Sequence, residues 1–374
     1  MVARAFRSSQ DWFLLGAALS LSLMGLATMH PLIAGGEPFF ERQVIWISIA
    51  LIAFFVATIP EYTFLKRTPI VATLYALALL LLSLVFIFGV VVKGAQQRFD
   101  LGFFALQPSD PAKLILIIVL AKYFARRHVE IAHWKHIFIS GAYAALICGM
   151  VFLQPDLGGA IIIGAVWFGM VLVAGISWRH LLFLFVTGIV VMSSLWTFVL
   201  QDYQKARIES FLHPLADIHG AGYNAYQSTV AVGSGELLGK GIGFGTQSKL
   251  RFLPEYQTDF IFAAFAEEWG FVGVILVLGL FGIVIARVLS LSAAGGDNFT
   301  VLFGVGVAIM LLTHMVVHIG INLGLLPVTG TTMPFMSYGG SHLLTEFVAL
   351  GMLVGLSKVR PRTQAVFEAE ALSP

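Results

Sequence analysis

Charge is what this chain of 374 residues has least of. Only 11% of its residues are Asp, Glu, Lys or Arg, against about 25% in an ordinary soluble domain. With 58% hydrophobic residues and a mean hydropathy of +0.90, that scarcity excludes a soluble globular fold. No nucleic acid is expected as a partner. Cysteine is nearly absent as well: Cys148 stands alone in an apolar run. It excludes an intramolecular disulfide framework and reads as a buried, inert thiol. The glycines at 233, 235, 239, 241, 243 and 245 have no strand before them and no Gly-Lys-Ser/Thr after them. They are therefore not read as a nucleotide-binding loop. The first apolar run lacks a small-residue cleavage site and further runs follow it, so it is expected to be retained.

What the chain does have is long apolar runs. A spanning helix needs about 20 apolar residues, fewer where neighbours thin the bilayer. Ten candidates meet that requirement, at roughly 12–30, 43–60, 70–92, 111–125, 137–153, 157–174, 180–200, 259–286, 299–322 and 341–357. The expected fold is an all-α polytopic membrane protein, one transmembrane domain over 1–374. The loop at 201–258 is expected outside the cytoplasm and a basic tail at 358–374 inside. With the N-terminus in the cytoplasm, the inner segments carry thirteen Lys and Arg residues. The short outer segments carry four, at Arg42, Lys93, Arg98 and Lys113. That asymmetry sets the orientation and returns the C-terminus to the cytoplasm.

The polar segments between the runs hold the chemistry. Asp259 lies at the outer mouth of the eighth run, where a carboxylate is costly unless something uses it. Glu267 and Glu268 follow inside the same run. In Gln107-Pro108-Ser109-Asp110, Ser109 reads as a helix cap, Pro111 suits a first turn and Asp110 complements the helix dipole. Lys113, three residues after Asp110, can pair with it on one face. Gln154-Pro155-Asp156-Leu157-Gly158 is a tight turn in which Asp156 can cap the next helix. Residues 221–232 suggest an amphipathic interfacial helix. The glycines after it, with Lys240, Lys249 and Arg251, offer either an anionic headgroup site or a flexible linker. In 322–341 the residues Pro327, Gly330, Pro334, Gly339 and Gly340 break the backbone at membrane depth. Such backbone survives only where protein or a wet cavity covers it, so a re-entrant segment is expected. His314 and His318, four apart, read as packed, hydrogen-bonded histidines rather than a metal pair, because no Glu lies between them.

Five of these segments together resemble one family. They are Gln107-Pro108-Ser109-Asp110-x-x-Lys113, Gln154-Pro155-Asp156-Leu157-Gly158, Gly233-Ser234-Gly235…Gly239-Lys240-Gly241…Gly245-Thr246-Gln247, Leu253-Pro254-Glu255-x-x-Thr258-Asp259-Phe260-Ile261-Phe262, and Gly324-Leu325-Leu326-Pro327-Val328-Thr329-Gly330…Pro334-Phe335-Met336-Ser337-Tyr338-Gly339-Gly340-Ser341. In this order they resemble the SEDS family of bacterial shape, elongation, division and sporulation proteins, which comprises RodA, FtsW and SpoVE. The match runs from about residue 10 to residue 358. The short termini and Asp100-Leu101-Gly102-Phe103-Phe104 lean towards the RodA-like branch.

The resemblance implies a peptidoglycan glycosyltransferase of the cytoplasmic membrane. Such an enzyme polymerises lipid II at the outer face, for elongation or division of the cell. It works with a class B penicillin-binding protein and other proteins of those assemblies. The family's essential aspartate falls on Asp259, which is expected to take a proton from the acceptor hydroxyl. Its Glu and Lys fall on Asp110 and Lys113, so the carboxylate here is one methylene shorter. Phe99 stands where the family usually has Trp. The undecaprenyl pyrophosphate leaving group calls for positive charge or a divalent cation, Mg or Mn, with no organic cofactor. Arg98, Lys113, Lys249 and Arg251 are candidates for that charge, and Asp110, Ser337 and Tyr338 complete the expected substrate-binding set. Two rivals share this architecture: a lipid II flippase or other lipid transporter, and a non-catalytic scaffold for a penicillin-binding protein. The clustering of uncommon charges on the outer side favours the enzyme over the transporter, and the retained Asp259 favours it over the scaffold.

Overall fold

The computed structural model describes residues 9–30, 38–92, 95–100, 102, 105–126, 133–213, 222–250 and 252–358. The helices in chain order are α1 (Ser9–Met29), α2 (Phe39–Ala57), α3 (Thr68–Phe88), α4 (Ser109–Ala125), α5 (Trp134–Leu153), α6 (Leu157–Ala174), α7 (Trp178–Phe198), α8 (Asp202–Leu212), α9 (Tyr223–Ser234), α10 (Thr246–Lys249), α11 (Ile261–Ala294), α12 (Asn298–Asn322) and α13 (Gly340–Ser357). Among the described residues nine helices are long and apolar enough to cross a membrane. The tenth expected span is α4, which has only 17 residues.

The shortest span is also among the most enclosed. Leu114, Leu116, Ile117, Leu120, Ala121 and Phe124 are all buried, and so are its polar residues Ser109, Asp110 and Lys113. A helix apolar on every side belongs inside a bundle. Accordingly α4 packs against α12, α3, α6, α13 and α5. The opposite case is α7, which buries only His180. Trp178, Phe185, Ile189, Val190 and Phe198 are exposed along it, a surface suited to lipid. Its tie to the bundle is aromatic: the Trp134 ring meets the His180 and Phe183 rings at 4.2 and 4.9 Å.

Several boundaries differ from the sequence expectation for identifiable reasons. The eighth run is not one long tilted helix. Gly270, at φ 66° and ψ −168°, breaks α11 into a buried piece, Ile261 to Trp269, and a longer piece beyond it. Segment 201–258 is more ordered than a linker. It contains α8, α9 and α10, and α9 packs on α11 and α12. Gly235 and Gly239 lie against the backbone of Ala266 and Glu268, where a Cβ would overlap a carbonyl oxygen. The segment before α4 forms a small antiparallel meander: β1 (Val90–Val92), β2 (Ala95–Asp100) and β3 (Ala105–Leu106). Val90 pairs with Arg98, and Phe99 pairs with Leu106. Residues 324–339 between α12 and α13 are non-helical and, apart from Leu325 and Gly330, buried or half-buried, as a re-entrant segment requires.

Small residues set the closest helix contact. A Cβ on Gly351 of α13 would lie 2.5 Å from the carbonyl oxygen of Phe54 in α2. Without a hydrophobic drive between helices in lipid, such close backbone approach supplies the packing. Gly351→Ala is therefore expected to lower thermal stability in detergent. Overpacking of this kind costs about 1–3 kcal/mol. A melting curve matching that of the parent protein would show that α2 and α13 can separate without loss.

Candidate functional site

The site begins at the N-terminus of α4. Pro108 is the flanking residue and Pro111 occupies the first turn, where a missing N–H is harmless. Ser109 does not cap the helix as expected. It is the first helical residue, and its hydroxyl instead donates to Asp156 Oδ2 at 3.4 Å. The expected Asp110–Lys113 pair is present: Lys113 Nζ lies 2.9 Å from Asp110 Oδ1, with both side chains almost fully buried. A buried carboxylate needs more than one partner. Asp110 Oδ2 accepts a short hydrogen bond from the Ser341 hydroxyl, and Oδ1 lies 3.5 Å from His342 Nδ1.

The pair is part of a wider buried polar cluster. His314 of α12 has Nδ1 3.3 Å from the Thr332 carbonyl, and only an N–H can bond there. Its Nε2 is then a lone pair, which accepts from Lys113 Nζ at 3.3 Å. His318, one turn on, places Nδ1 2.8 Å from the Thr331 carbonyl. Both histidines thus act as packed, hydrogen-bonded anchors of the re-entrant segment. On the other flank Asp156 caps α6 as expected, accepting from Gly159 N at 2.7 Å. Gln107 also donates to it, at 3.2 Å. Burial pushes the Asp156 carboxyl up from its ordinary pKa, against the opposing pull of Lys113 and the Gly159 N–H.

Asp259 meets this cluster through the non-helical Thr329–Thr332 stretch. A Cβ on Gly330 would sit 3.7 Å from Asp259 Oδ2, so the half-buried carboxylate lies beside that backbone. Gly330 has φ 73°, which lets the chain turn there. Thr331 and Thr329 pack on Gly158 in the α5–α6 turn. One short strand of backbone therefore touches Asp259, the His314–His318 face of α12 and the Asp156 turn. The backbone of Asp259 is fixed on both sides: its N–H donates to Glu255 O at 3.1 Å, and its carbonyl accepts from Asn322 Nδ2 at 3.1 Å.

Ser337 and Tyr338 meet Asp259 through its neighbours. The buried Ser337 hydroxyl donates to Thr258 O and accepts from Met333 N, each at 2.8 Å. Tyr338 N donates to Gln257 O at 2.8 Å, and its ring meets Phe39 edge-on at 5.0 Å. The geometry gives both residues the work of holding the Asp259 segment.

Among the described residues, Arg98 and Lys249 make no hydrogen bond or ion pair with this cluster. Arg98 is exposed on β2. Its neighbour Gln97 reaches the Pro155 carbonyl at 3.1 Å, so pleat alternation turns Arg98 to the other face. Lys249 is exposed, with Nζ 5.7 Å from the centre of the Phe244 ring. Arg251 lies outside the described residues. The glycine-rich segment does cradle an anion, but the anion belongs to the chain itself. Glu267 Oε1 accepts from Lys240 Nζ and Thr246 N at 2.8 Å, from the Thr246 hydroxyl at 3.0 Å and from Gln247 N at 3.1 Å. Glu268 Oε1 accepts from Gly243 N at 3.0 Å.

Two residues of the cluster, His342 and Glu346, were not singled out from the sequence. His342 Nε2 lies 2.9 Å from Glu346 Oε1. The available signal was the rule that flagged Lys113: ionisable side chains inside a membrane helix, here four apart and so on one face. Among the described residues no three His, Cys, Asp or Glu side chains converge to hold a metal ion.

Comparison with known proteins bears on the chain as a whole. A family model described as "Cell cycle protein", for FtsW, RodA and SpoVE, matches residues 7–361. The peptidoglycan glycosyltransferase MrdB of Escherichia coli K12 is 37% identical over 317 residues, covering 84% of this chain and 85% of that protein. The stage V sporulation protein E of Bacillus subtilis is 34% identical over 325 residues, covering 86% and 87%. Among solved structures, a chain of a peptidoglycan synthase complex, solved to show how polymerization and crosslinking are coordinated, superposes with a TM-score of 0.78. It has 32% identity, with 93% of this chain and 97% of that chain covered. The rod shape determining protein RodA of Thermus thermophilus gives a TM-score of 0.70 at 30% identity, covering 94% and 98%.

The Glu267 cradle yields a ranked expectation for stability. Glu267→Ala removes the shared acceptor of the Thr246 and Gln247 N–H groups, at about 1–3 kcal/mol for each one left unsatisfied, while the exposed Lys240 ammonium turns to water. Lys240→Ala leaves the carboxylate its backbone donors, so about 1–3 kcal/mol is expected, the range for a lost partner of a buried group. Thermal unfolding in detergent checks the order; equal losses would mean that Lys240 alone fastens the segment.

Proposed function

The chain belongs to the FtsW, RodA and SpoVE family of cell cycle proteins, which makes it an integral membrane protein. From that premise we infer that it is a peptidoglycan glycosyltransferase polymerising lipid II at the outer face of the cytoplasmic membrane. The observation that carries the site assignment is the half-buried Asp259, set beside the same non-helical backbone that His314 and His318 anchor.

Asp259 takes the proton of the acceptor GlcNAc 4-hydroxyl as that oxygen bonds to the anomeric carbon of the donor MurNAc. The bond to the donor's pyrophosphate breaks in the same step, and undecaprenyl pyrophosphate leaves with the electron pair. The pinned backbone of residues 257–259 holds the base in place, and orientation of this kind accounts for much of an enzyme's rate. The exposed Arg98 and Lys249, with Arg251, are assigned to the outer approach of the anionic substrate. Lys113 is too deeply buried to be its first contact and acts from behind, adding fixed positive charge at a dry site. A divalent cation, Mg or Mn, is typically held by one or two carboxylates plus substrate phosphates. At this site it would arrive with the pyrophosphate. A class B penicillin-binding protein and other elongation or division proteins are the proposed partners. The named synthase complex among the structural relatives supports a crosslinking partner.

The test is purified protein with its cognate penicillin-binding protein, given labelled lipid II. Wild type should form glycan strands. Asp259→Ala should lose about 100- to 10,000-fold, as expected when a general base is removed, with expression intact. Lys113→Ala strands the buried Asp110 carboxylate, so it should lose about 3–5 kcal/mol of stability and still lower turnover more than tenfold at a temperature where the variant is folded. Wild-type strand formation by a folded Asp259→Ala protein would remove the base assignment. Wild-type turnover per folded molecule in Lys113→Ala, with stability lost, would make that pair purely structural.

The termini and the His133 region are proposed to face the cytoplasm, and segment 201–258 the outside. In a cysteine-free background, cysteines at the exposed positions Asp202 and His133 should label from opposite sides of the membrane with an impermeant reagent. Labelling of both from outside would overturn the orientation.

A further inference from the structure

The buried cluster around Asp110 holds two carboxylates, Asp110 and Glu346, and between them the His342 ring. His342 Nδ1 is 3.5 Å from Asp110 Oδ1, and Nε2 is 2.9 Å from Glu346 Oε1. The second N–H is not aimed along that line, so the 2.9 Å contact is one of charge more than of a directed hydrogen bond. A ring lone pair facing a carboxylate oxygen at that separation would repel it, so a proton lies between them.

Charge balance says where the proton resides. Lys113 offsets one of the two carboxylates. His314, whose ring stands 4.7 Å from that of His342, is spent as a neutral ring: it donates through Nδ1 to Thr332 O and accepts from Lys113 through Nε2. Asp156 is one hydrogen-bonded layer away, behind Gln107 and Ser109. Among the described residues in contact with Asp110 and Glu346, His342 is thus the group able to supply the missing positive charge. With an imidazolium the cluster of Asp110, Lys113, His342 and Glu346 is neutral. With a neutral ring and both carboxylates ionised it keeps a buried net negative charge, which is strongly unfavourable.

Glu346 has a second task. Its Oε2 accepts from Phe335 N at 2.9 Å. Phe335 has φ 62°, a left-handed conformation that a bulky residue adopts only when its surroundings impose it. Two residues later, the Ser337 hydroxyl bonds to Thr258 O, the carbonyl next to Asp259. A chain of contacts therefore runs from Asp110 through His342, Glu346, Phe335 and Ser337 to the base.

We propose that His342 is a positioning residue for glycosyl transfer: as an imidazolium bridging Asp110 and Glu346, it compensates the buried Glu346 charge, so that residue 346 keeps its oxygen on Phe335 N and the strained Phe335 turn holds Asp259 in register. This rests on Asp259 being the base.

The test is a charge cycle of His342→Gln, Glu346→Gln and the double variant, each read by lipid II turnover with the partner present and by melting temperature in detergent. His342→Gln alone leaves an uncompensated carboxylate and should lower kcat at least tenfold, with KM for lipid II within about twofold, because misplaced catalytic groups cost rate far more than binding. Glu346→Gln keeps an oxygen acceptor for Phe335 N and lets the ring shed its proton, so it should stay within about threefold of wild type. The double variant is again neutral. It should recover to near the Glu346→Gln level in both kcat and melting temperature. If it is as slow or as unstable as His342→Gln, the ring's shape matters and not its charge, and the proposal falls. If His342→Gln fails to fold, a folded, active double variant still supports charge balance, and an unfolded one overturns it. Asp259→Ala run alongside separates the two claims. Should that variant polymerise normally, the base assignment fails, while rescue of melting temperature in the cycle reads the imidazolium independently.

Discussion

Everything near the site depends on one constraint: an ion removed from water inside an apolar bundle must find its counter-ion and its hydrogen bonds there. Asp110 and Lys113 meet it on a single turn of α4. Their remaining valences reach out to α12 through His314 and to α13 through Ser341 and His342. Three helices and the re-entrant segment are therefore held in one relative placement by polar contacts. Apolar packing alone would tolerate small slides between helices; a buried ion cluster does not.

The same constraint shapes the backbone. Residues 324–339 are non-helical, with a helix-like backbone bond inside the segment only from Ser337 N to Met333 O, so each remaining unpaired carbonyl or N–H inside the bundle is a liability. The structure answers with side chains: His314 and His318 take the Thr332 and Thr331 carbonyls, Glu346 takes Phe335 N, and Ser337 bonds to both Met333 N and Thr258 O. The segment thereby becomes rigid enough to carry Gly330 beside Asp259. Asn322, at the end of α12, ties the start of α11 in the same way, accepting from Ala263 N and donating to the Asp259 carbonyl.

Much of this was legible in the residues. Apolar runs identified the spans, because length and hydropathy alone decide what crosses a bilayer. The spacing of Asp110 and Lys113 announced their pairing, and the punctuation by Pro327, Gly330 and Pro334 announced a re-entrant backbone. Legibility failed where a contact joins distant positions. Nothing local tells Ser109 to bond to Asp156 rather than cap its own helix, because the competing partner comes from another turn. Glu267 and the glycines after residue 233 were read separately, although they satisfy each other. The break at Gly270 is invisible in an unbroken apolar run, since its cause is the close approach of Leu237 to Gly239. His342 and Glu346 were readable by the rule that found Lys113 but lay in a run taken as plain membrane helix.

The glycine-rich segment has a consequence for competition. Its N–H groups at Thr246 and Gln247 already hold a carboxylate that is covalently part of the chain. A tethered ligand acts at an effective concentration of about millimolar or more. A diffusing phosphate group must outcompete that resident before it can use those N–H groups, and in doing so it would release Lys240 as well. The segment thus discriminates against anions by prior occupancy, leaving substrate phosphates to cations that are not already engaged.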